Sequence, residues 1–443
     1  MDKQHYYNVT EVLFNTPTSE KPYDITASMY ELVLTESVNR AFLTGRITVL
    51  DDKKLYDTER FSGVETIRVT IEFNNALMKY PPQPPIVKTF VMRNIRLAQD
   101  INTESRAVVF DLIEPHGFAN NNKKISRSFT DTPTKIIEKI MNQIGVTVNG
   151  DGGGTTQEDM RYITPYISPI AAAEVIKDRI TSNIGSPFFL TSSIFDDENN
   201  VRLISFDTAM TKHPVNEPLP YIYSQAQTNY DDIPEAAQPF VVGKFFEENL
   251  EDTFKFTQQG GLLNEYKSFD SFQGRTSGKR VFVGEHLNAM IGSEILRGDN
   301  QIVYNENYDW SDANPKEVHA ITSGKSFPDI KNIHDVNGTS DGAKKIKPMQ
   351  ILASLERGAK KISVRGLGIM LYRISAGQSL SVRILDTQQE KPLKDTDGKE
   401  GFDVRRSGNY FIMETKHIFR YTDHVVNLKI AKFDDMVFDE GPQ

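Results

Sequence analysis

The two ends of this chain alternate between apolar and polar residues with a period of two, and its middle does not. Near the start, Ile67, Val69, Ile71 and Phe73 interleave with Thr66, Arg68, Thr70 and Glu72. Successive side chains of a strand point to opposite faces, so this run predicts a strand with one face buried and one in water. Tyr30, Leu32 and Leu34 mark an earlier strand, and Ala41 to Leu50 another. Phe90 to Leu97 and Ala107 to Ile113 form a pair joined by a polar turn at 99–104. Tyr80-Pro81-Pro82-Gln83-Pro84-Pro85 cannot sit inside a sheet, because proline brings no ladder donor. Towards the other end, strands are predicted at Lys361–Gly366, Gly368–Ile374, Ser379–Leu385, Tyr410–Phe419 and Val425–Lys432. A short helix from Pro348 carries Ile351, Leu352 and Leu355.

Between the ends the period changes. Thr132-Pro133 opens a helix whose Ile136, Ile137, Ile140, Met141 and Ile144 recur at helical spacing, and Gly145 closes it. Ser168-Pro169 repeats that start, with Ala172, Ala173, Ile176, Ile180 and Ile184 following, and Gly185 ends the helix. Asn149-Gly150-Asp151-Gly152-Gly153-Gly154 links the two helices. Pro187–Leu190 and Val201–Phe206 form a hairpin over a polar turn. Residues 211–345 are the least regular. Phe240–Phe246 and Thr253–Gln258 are strand-like, Gly260-Gly261 makes a break, and 305–345, rich in Asn, Asp, Gly, Ser and Pro, reads as long loops. The chain thus divides into 1–115 (β), 116–210 (α+β), 211–345 (irregular, partly feeding the last part) and 346–443 (β).

The β-rich ends match each other loosely. Ser62-Gly63 leads into one strand and Ala376-Gly377 into another, and Phe90-Val91-Met92 lines up with Phe411-Ile412-Met413. A duplication and a chance likeness of amphipathic strands both fit this pattern.

Chemistry is harder to find. The 443 residues include no cysteine, which rules out disulfides, thiolate nucleophiles and Cys-ligated zinc or iron–sulfur centres and fits folding in a reducing cytoplasm. No window approaches the ~20 apolar residues of a membrane span. The N-terminus lacks a secretory pattern. The net charge of −9 comes with only a short basic cluster, Lys344-Lys345-Ile346-Lys347. Catalytic elbows, zinc-protease helices and dinucleotide loops are missing. Thr322-Ser323-Gly324-Lys325-Ser326 lacks the leading glycine and the strand–helix frame of a phosphate loop and reads as a surface loop. Asp395, Asp397 and Gly398 read as a polar turn, not a calcium loop. Asp231-Asp232 and Glu247-Glu248 read as solvated acids. His417 and His424 flank a hairpin turn and read as strand histidines facing solvent, not as a metal site. Trp310 in its polar loop either anchors a partner or tucks onto its own domain. No catalytic, cofactor or metal residue is assigned, and no enzyme activity is expected.

The order of segments resembles the baseplate central hub proteins of contractile-tailed bacteriophages and, more distantly, the hub part of VgrG-type spikes. Four pieces carry the resemblance. They are Ser62 to Ile71; Ile125-Ser126-Arg127-Ser128-Phe129 running into Thr132-Pro133; Tyr162-Ile163-Thr164-Pro165 with Ser168–Ala172, Ser186–Leu190 and Ile204-Ser205-Phe206; and the closing Ser407–Ile412 with Val425–Ile430. The resemblance implies a mainly β protein with an α+β insert: two tail-tube-like antiparallel β-barrels (1–115 and 346–443), a small helix-containing domain and a loop-rich region. It further implies a homotrimer whose six barrels form a pseudo-hexameric ring. That ring would join a sixfold tail tube to a threefold spike, contact baseplate wedge proteins and let DNA pass without specific binding, in a virion assembled in the host cytoplasm. A glycan-degrading tail enzyme and a receptor-binding tail protein are the competing readings. With −9 per chain, a neutral or acidic channel is expected, with most lysines outside or at subunit contacts. Glu65, Glu72 and Asp111 are candidates for its wall, or else face solvent or pair with Arg68 and Arg93.

Overall fold

The computed structural model describes residues 7–51, 54–59, 61–73, 83–100, 106–150, 160–178, 180–182, 186–217, 219–223, 240–247, 263–270, 275–282, 316–322, 331–332, 348–349, 351–356, 358–385, 403, 406–420 and 423–432. Seven strands come first: β1 (Tyr7–Asn15), β2 (Tyr23–Asp24), β3 (Met29–Ser37), β4 (Thr44–Leu50), β5 (Thr66–Phe73), β6 (Ile86–Asp100) and β7 (Arg106–Ile113). The middle holds β8 (Ser128–Asp131), β9 (Thr147–Gly150), β10 (Met160–Ile163), β11 (Phe188–Thr191) and β12 (Asn200–Ser205). Then follow β13 (Tyr221–Tyr223), β14 (Val242–Glu247), β15 (Leu263–Asp270), β16 (Arg275–Phe282), β17 (Lys316–Thr322) and β18 (Lys331–Asn332). The chain closes with β19 (Ala359–Arg365), β20 (Ser379–Ile384), β21 (Gly408–Arg420) and β22 (Asp423–Ala431).

Thirteen of these strands form one sheet in the order β14-β19-β22-β21-β3-β4-β7-β6-β5-β1-β2, with β20 on β21 and β13 on β20. Two cores lie along it. Val12, Phe14, Leu32, Ile47, Ile67, Phe90 and Phe110 fill the N-terminal lobe. Tyr221, Val364, Leu380, Tyr410, Ile412 and Leu428 fill the C-terminal one.

The lobes are copies. The order β3-β4-β7-β6-β5 recurs as β14-β19-β22-β21-β20, and the irregularities recur with it. β3 slips its register against β4 between Met29 and Glu31, and β14 slips against β19 between Val242 and Lys244. β6 slips against β7 between Met92 and Asn94, and β21 against β22 between Ile412 and Glu414. Bulges redirect a strand and add twist, so their coincidence marks a shared backbone path. The strand entries match as well. Glu65 O accepts from Met92 N at 2.9 Å, and Gln378 O accepts from Ile412 N at 2.9 Å. Each of these residues also accepts on its own side chain from the amide three positions earlier, Ser62 N for Glu65 and Ser375 N for Gln378. A glycine at φ 86° stands inside each turn, Gly63 and Gly377. The equivalence is therefore Val91 with Phe411 and Met92 with Ile412, one residue away from the alignment that sequence suggests. The lobes differ in their outer strand: β1 runs antiparallel to β5, whereas β13 runs parallel to β20.

A third core belongs to the helical part. Ile136, Ile137, Ile140 and Met141 of helix Pro133–Met141 and Ala172, Ala173 and Ile176 of helix Pro169–Lys177 are buried together with Phe188, Leu190 and Leu203. Thr132 and Ser168 occupy the N-cap positions, but neither side chain caps. Asn120 does that work for the second helix, accepting from Ile170 N at 2.7 Å. Gly145, at φ 74°, ends the 3₁₀ turn after the first helix.

Two expectations are corrected, and one strand is added. The segment expected as a strand from Gly368 to Ile374 begins as the helix Gly366–Leu371. A short apolar run carries no period that separates the two, and Gly366 lies where any Cβ would collide with the His424 ring. The stretch expected as long loops at 305–345 holds β17, which joins β15 in parallel, and β18, which adds to β10. β1, with Val12 and Phe14 buried, escaped the sequence reading altogether.

Candidate interaction site at the seam between the lobes

The lobes meet through main chain. β21 forks: Gly408–Phe411 pairs with β20, while Glu414–Arg420 pairs antiparallel with Ser37–Glu31 of β3. Three parts of the chain converge where the fork opens. Glu36, fully buried on β3, accepts from Ile194 N at 2.8 Å and Ser193 Oγ at 3.1 Å on one oxygen, and from Ala376 N at 2.9 Å on the other. Ser193 Oγ also meets Ser375 Oγ at 2.7 Å, Thr191 Oγ1 donates to Ser37 O at 3.1 Å, and Val38 N donates to Met413 O at 3.0 Å. One carboxylate thus ties the N-terminal lobe to the helical part and to the C-terminal lobe. Burial pushes the Glu36 carboxyl up to about 7, against the pull of those donors.

At the far end of the fork sit His417 and His424. Both are buried, at 0% and 5% exposure, which corrects the expectation that they face solvent. His417 Nδ1 lies 3.3 Å from His424 Nε2, and His424 stacks on Phe419 with ring centroids 4.1 Å apart. Tyr7 and Phe195 close over them edge-on. The Tyr7 hydroxyl reaches Arg420 O at 2.7 Å and Asp423 O at 2.6 Å, pinning the start of the N-terminal lobe to the β21–β22 turn. Burial holds His417 down to about 3, and burial with the neighbouring His417 holds His424 well below its ordinary value. Among the described residues no group of three or more His, Asp or Glu could hold a metal.

The opposite face of the seam is open and charged. Directly opposed positions run from β14 to β6 across it. They place Arg46, Arg96, Lys244, Lys361, Arg365, Lys416, Arg420 and Lys429 on one face with Glu31, Asp111, Glu414 and Asp423, eight cations to four acids. Arg420 pairs with Glu31 at 2.7 Å, and Asp111 binds Arg96 at 2.6 Å and Arg46 at 3.2 Å. A groove of about 490 Å³ runs over this face, with Arg40, Arg93 and Lys416 also on its walls.

The three acids named from sequence have separate fates. Glu65 is buried and caps its own turn through Ser62 and Gly63. Burial raises its carboxyl, but those donors outweigh it and leave it below the ordinary range. Glu72 is exposed on β5. Asp111 pairs with Arg46 and Arg96, not with Arg68 or Arg93. Trp310, Asp231-Asp232, Glu248, Ser323–Ser326, Lys344–Lys347, Asp395, Asp397 and Gly398 lie outside the described residues. The node at Glu36 gave no signal in sequence: an acid in a strand ordinarily faces water, and only the segments packed over it bury this one.

No protein-family model matches the sequence, and no curated protein matches it. Solved structures do. The prophage MuSo2 43 kDa tail protein of Shewanella oneidensis aligns with 96% of this chain and 99% of its own, at 11% identity and a TM-score of 0.52. A tail protein of Neisseria meningitidis MC58 aligns with 97% of each, at 10% identity and a TM-score of 0.52. A chain of the Francisella PdpA–VgrG complex aligns over 98% of this chain and 59% of its own, at 10% identity and 0.44, below the level that marks a shared fold. The chain has the mainly β fold of the first two across nearly its whole length.

Proposed function

From that fold, shared with two phage tail proteins, we propose that this chain is a structural component of a phage-type tail, the central hub of its baseplate. It works as a homotrimer whose six lobes alternate around a ring. The observation that carries the proposal is the pair of duplicate lobes fused edge to edge. Two copies of one unit in each of three chains supply six similar positions, which is what a part matching a sixfold tube to a threefold spike requires. A tube above, a spike below and wedge proteins outside are the partners this assigns, and no bond chemistry is assigned to any residue.

The open face of the seam sheet lines the passage in this reading. Its cations outnumber its acids, where net charge suggests a neutral or acidic wall. Multi-angle light scattering with negative-stain imaging of the purified protein tests the proposal. Threefold rings of three times the chain mass are expected, and a stable monomer at micromolar concentration refutes it.

A further inference from the structure

The groove on the open face of the seam carries more positive charge than the residues around it answer. Val33, Leu112 and Ile418 supply apolar lining. Glu31 takes Arg420 at 2.7 Å, and Asp111 takes Arg46 at 3.2 Å. The other cations on the walls, Arg40, Arg93 and Lys416, have no acid within ion-pair distance among the described residues. Arg40 donates to the Thr44 hydroxyl at 2.8 Å. Unanswered cations around an apolar floor fit an acidic segment with apolar side chains, the way Arg clusters take acidic motifs.

Such a segment begins beside the groove. After Lys432 the chain runs Phe433-Asp434-Asp435-Met436-Val437-Phe438-Asp439-Glu440 and ends at Gln443, with four acids around Met436-Val437-Phe438 and no Lys or Arg. Register fixes where it starts. Asn427 stands opposite Lys416, and Lys416 opposite Thr35. Lys432 lies five residues beyond Asn427, so it is roughly 18 Å from Lys416, counting one strand across. Residues 433–443 can span up to about 36 Å when extended, enough to turn back over β21 and β3 and lie along the groove.

We propose that residues 433–443 fold back over the seam and occupy this groove in their own chain. Met436, Val437 and Phe438 cover the apolar floor, and the four acids meet Arg40, Arg93 and Lys416. Attachment at Lys432 gives the segment an effective concentration on the order of mM at the groove, which a free acidic ligand or a phosphate backbone has to overcome. The contact lies within one chain and does not rest on the hub reading.

The chain has no cysteine, so an introduced pair reports the contact without background. Full-length Val437→Cys with Thr35→Cys is oxidised mildly, and intrachain disulfide formation is timed by thiol titration and non-reducing gels. The same pair is placed in a full-length chain with a neutral tail (Asp434→Asn, Asp435→Asn, Asp439→Asn, Glu440→Gln) and in one with Arg93→Glu and Lys416→Glu. The tether is equal in all three, so charge pairing alone separates them. Closure about tenfold or more faster in the chain with native charges, and slowed by about 0.5 M salt, is expected. Equal rates in all three overturn the proposal. Disulfide-linked dimers put the tail on a second copy and overturn it as well. A fluorescein-labelled peptide of residues 433–443 gives a second measurement, by anisotropy. It should bind the neutral-tail chain about tenfold or more tightly than the wild type, whose groove is filled. Equal binding to both, or none to the neutral-tail chain, refutes the proposal, and light scattering still decides the hub reading separately.

Discussion

Glu36, His417 and His424 are buried ionisable groups, and their protons act on stability in opposite senses. The Glu36 carboxyl is raised from 4.5 to about 7. Between those values the folded chain keeps a proton that the unfolded chain has released, so stability falls as pH rises through that window. His417 is depressed from 6.5 to about 3, and His424 is also depressed. Below pH 6.5 the unfolded chain takes up their protons first, so stability falls as pH falls. Two histidines oppose one glutamate between 4.5 and 6.5, and net weakening on acidification is expected. Glu36→Gln removes the opposing gain. Its melting temperature should drop more steeply from pH 6.5 to 5 than that of the wild type, read by circular dichroism; equal slopes would mean that Glu36 stays ionised throughout. Lys88 is a second buried charge, 3.5 Å from Glu114, with both side chains nearly fully covered. Glu114→Ala strands the ammonium and should cost about 3–5 kcal/mol in denaturant unfolding, whereas Lys88→Met with Glu114→Leu should cost far less.

The elements differ in how much of them the sequence discloses. Strands whose inner face is apolar and outer face polar, such as β5 and β22, are legible residue by residue, because alternation and burial agree. The helix Pro133–Met141 is legible for the same reason at a different period, and Ile140→Ala should cost about 2–5 kcal/mol, measured by urea unfolding. The helix Gly366–Leu371 is not legible, since a run apolar on every side has no period to read. The duplication is half legible. Glycines at Gly63 and Gly377 hint at it, but the bulges that prove it depend on hydrogen bonds between distant strands. Those two glycines give a paired test. Both sit at φ 86°, yet a Cβ on Gly63 meets nothing within 4 Å, whereas one on Gly377 lies 2.8 Å from Ile204 Cδ1. Gly63→Ala should cost roughly 1–2 kcal/mol of left-handed strain, and Gly377→Ala measurably more, with thermal melts separating them.

On the scale of the whole molecule, net charge is a poor guide to the face that the hub reading puts on the passage. A sum of −9 says nothing about how a sheet sorts its charges between faces. Here the outward alternate positions of eight neighbouring strands, β14 to β6, collect Lys and Arg on six of them. Double-stranded DNA should therefore bind weakly at 50 mM salt and release by 200 mM, as counterion exchange requires. Lys416→Glu should weaken binding at low salt and flatten its salt dependence, followed by fluorescence anisotropy. Binding indifferent to salt would remove the open face as a phosphate-contacting wall.

The β3–β21 ladder also sets a timetable. Its partners lie far apart in the chain: Arg420 of β21 stands opposite Glu31 of β3 and bonds it across 389 residues. At a synthesis rate of ~5–20 residues per second, the N-terminal lobe waits on the order of tens of seconds with its β3 edge bare. Closing so long a loop is also entropically costly and slow. During that wait the bare edge can accept β21 from a neighbouring nascent chain as readily as its own. Expression of this protein should therefore be limited by strand exchange between ribosomes on one message, and slower translation of residues 380–430 should lower its soluble yield.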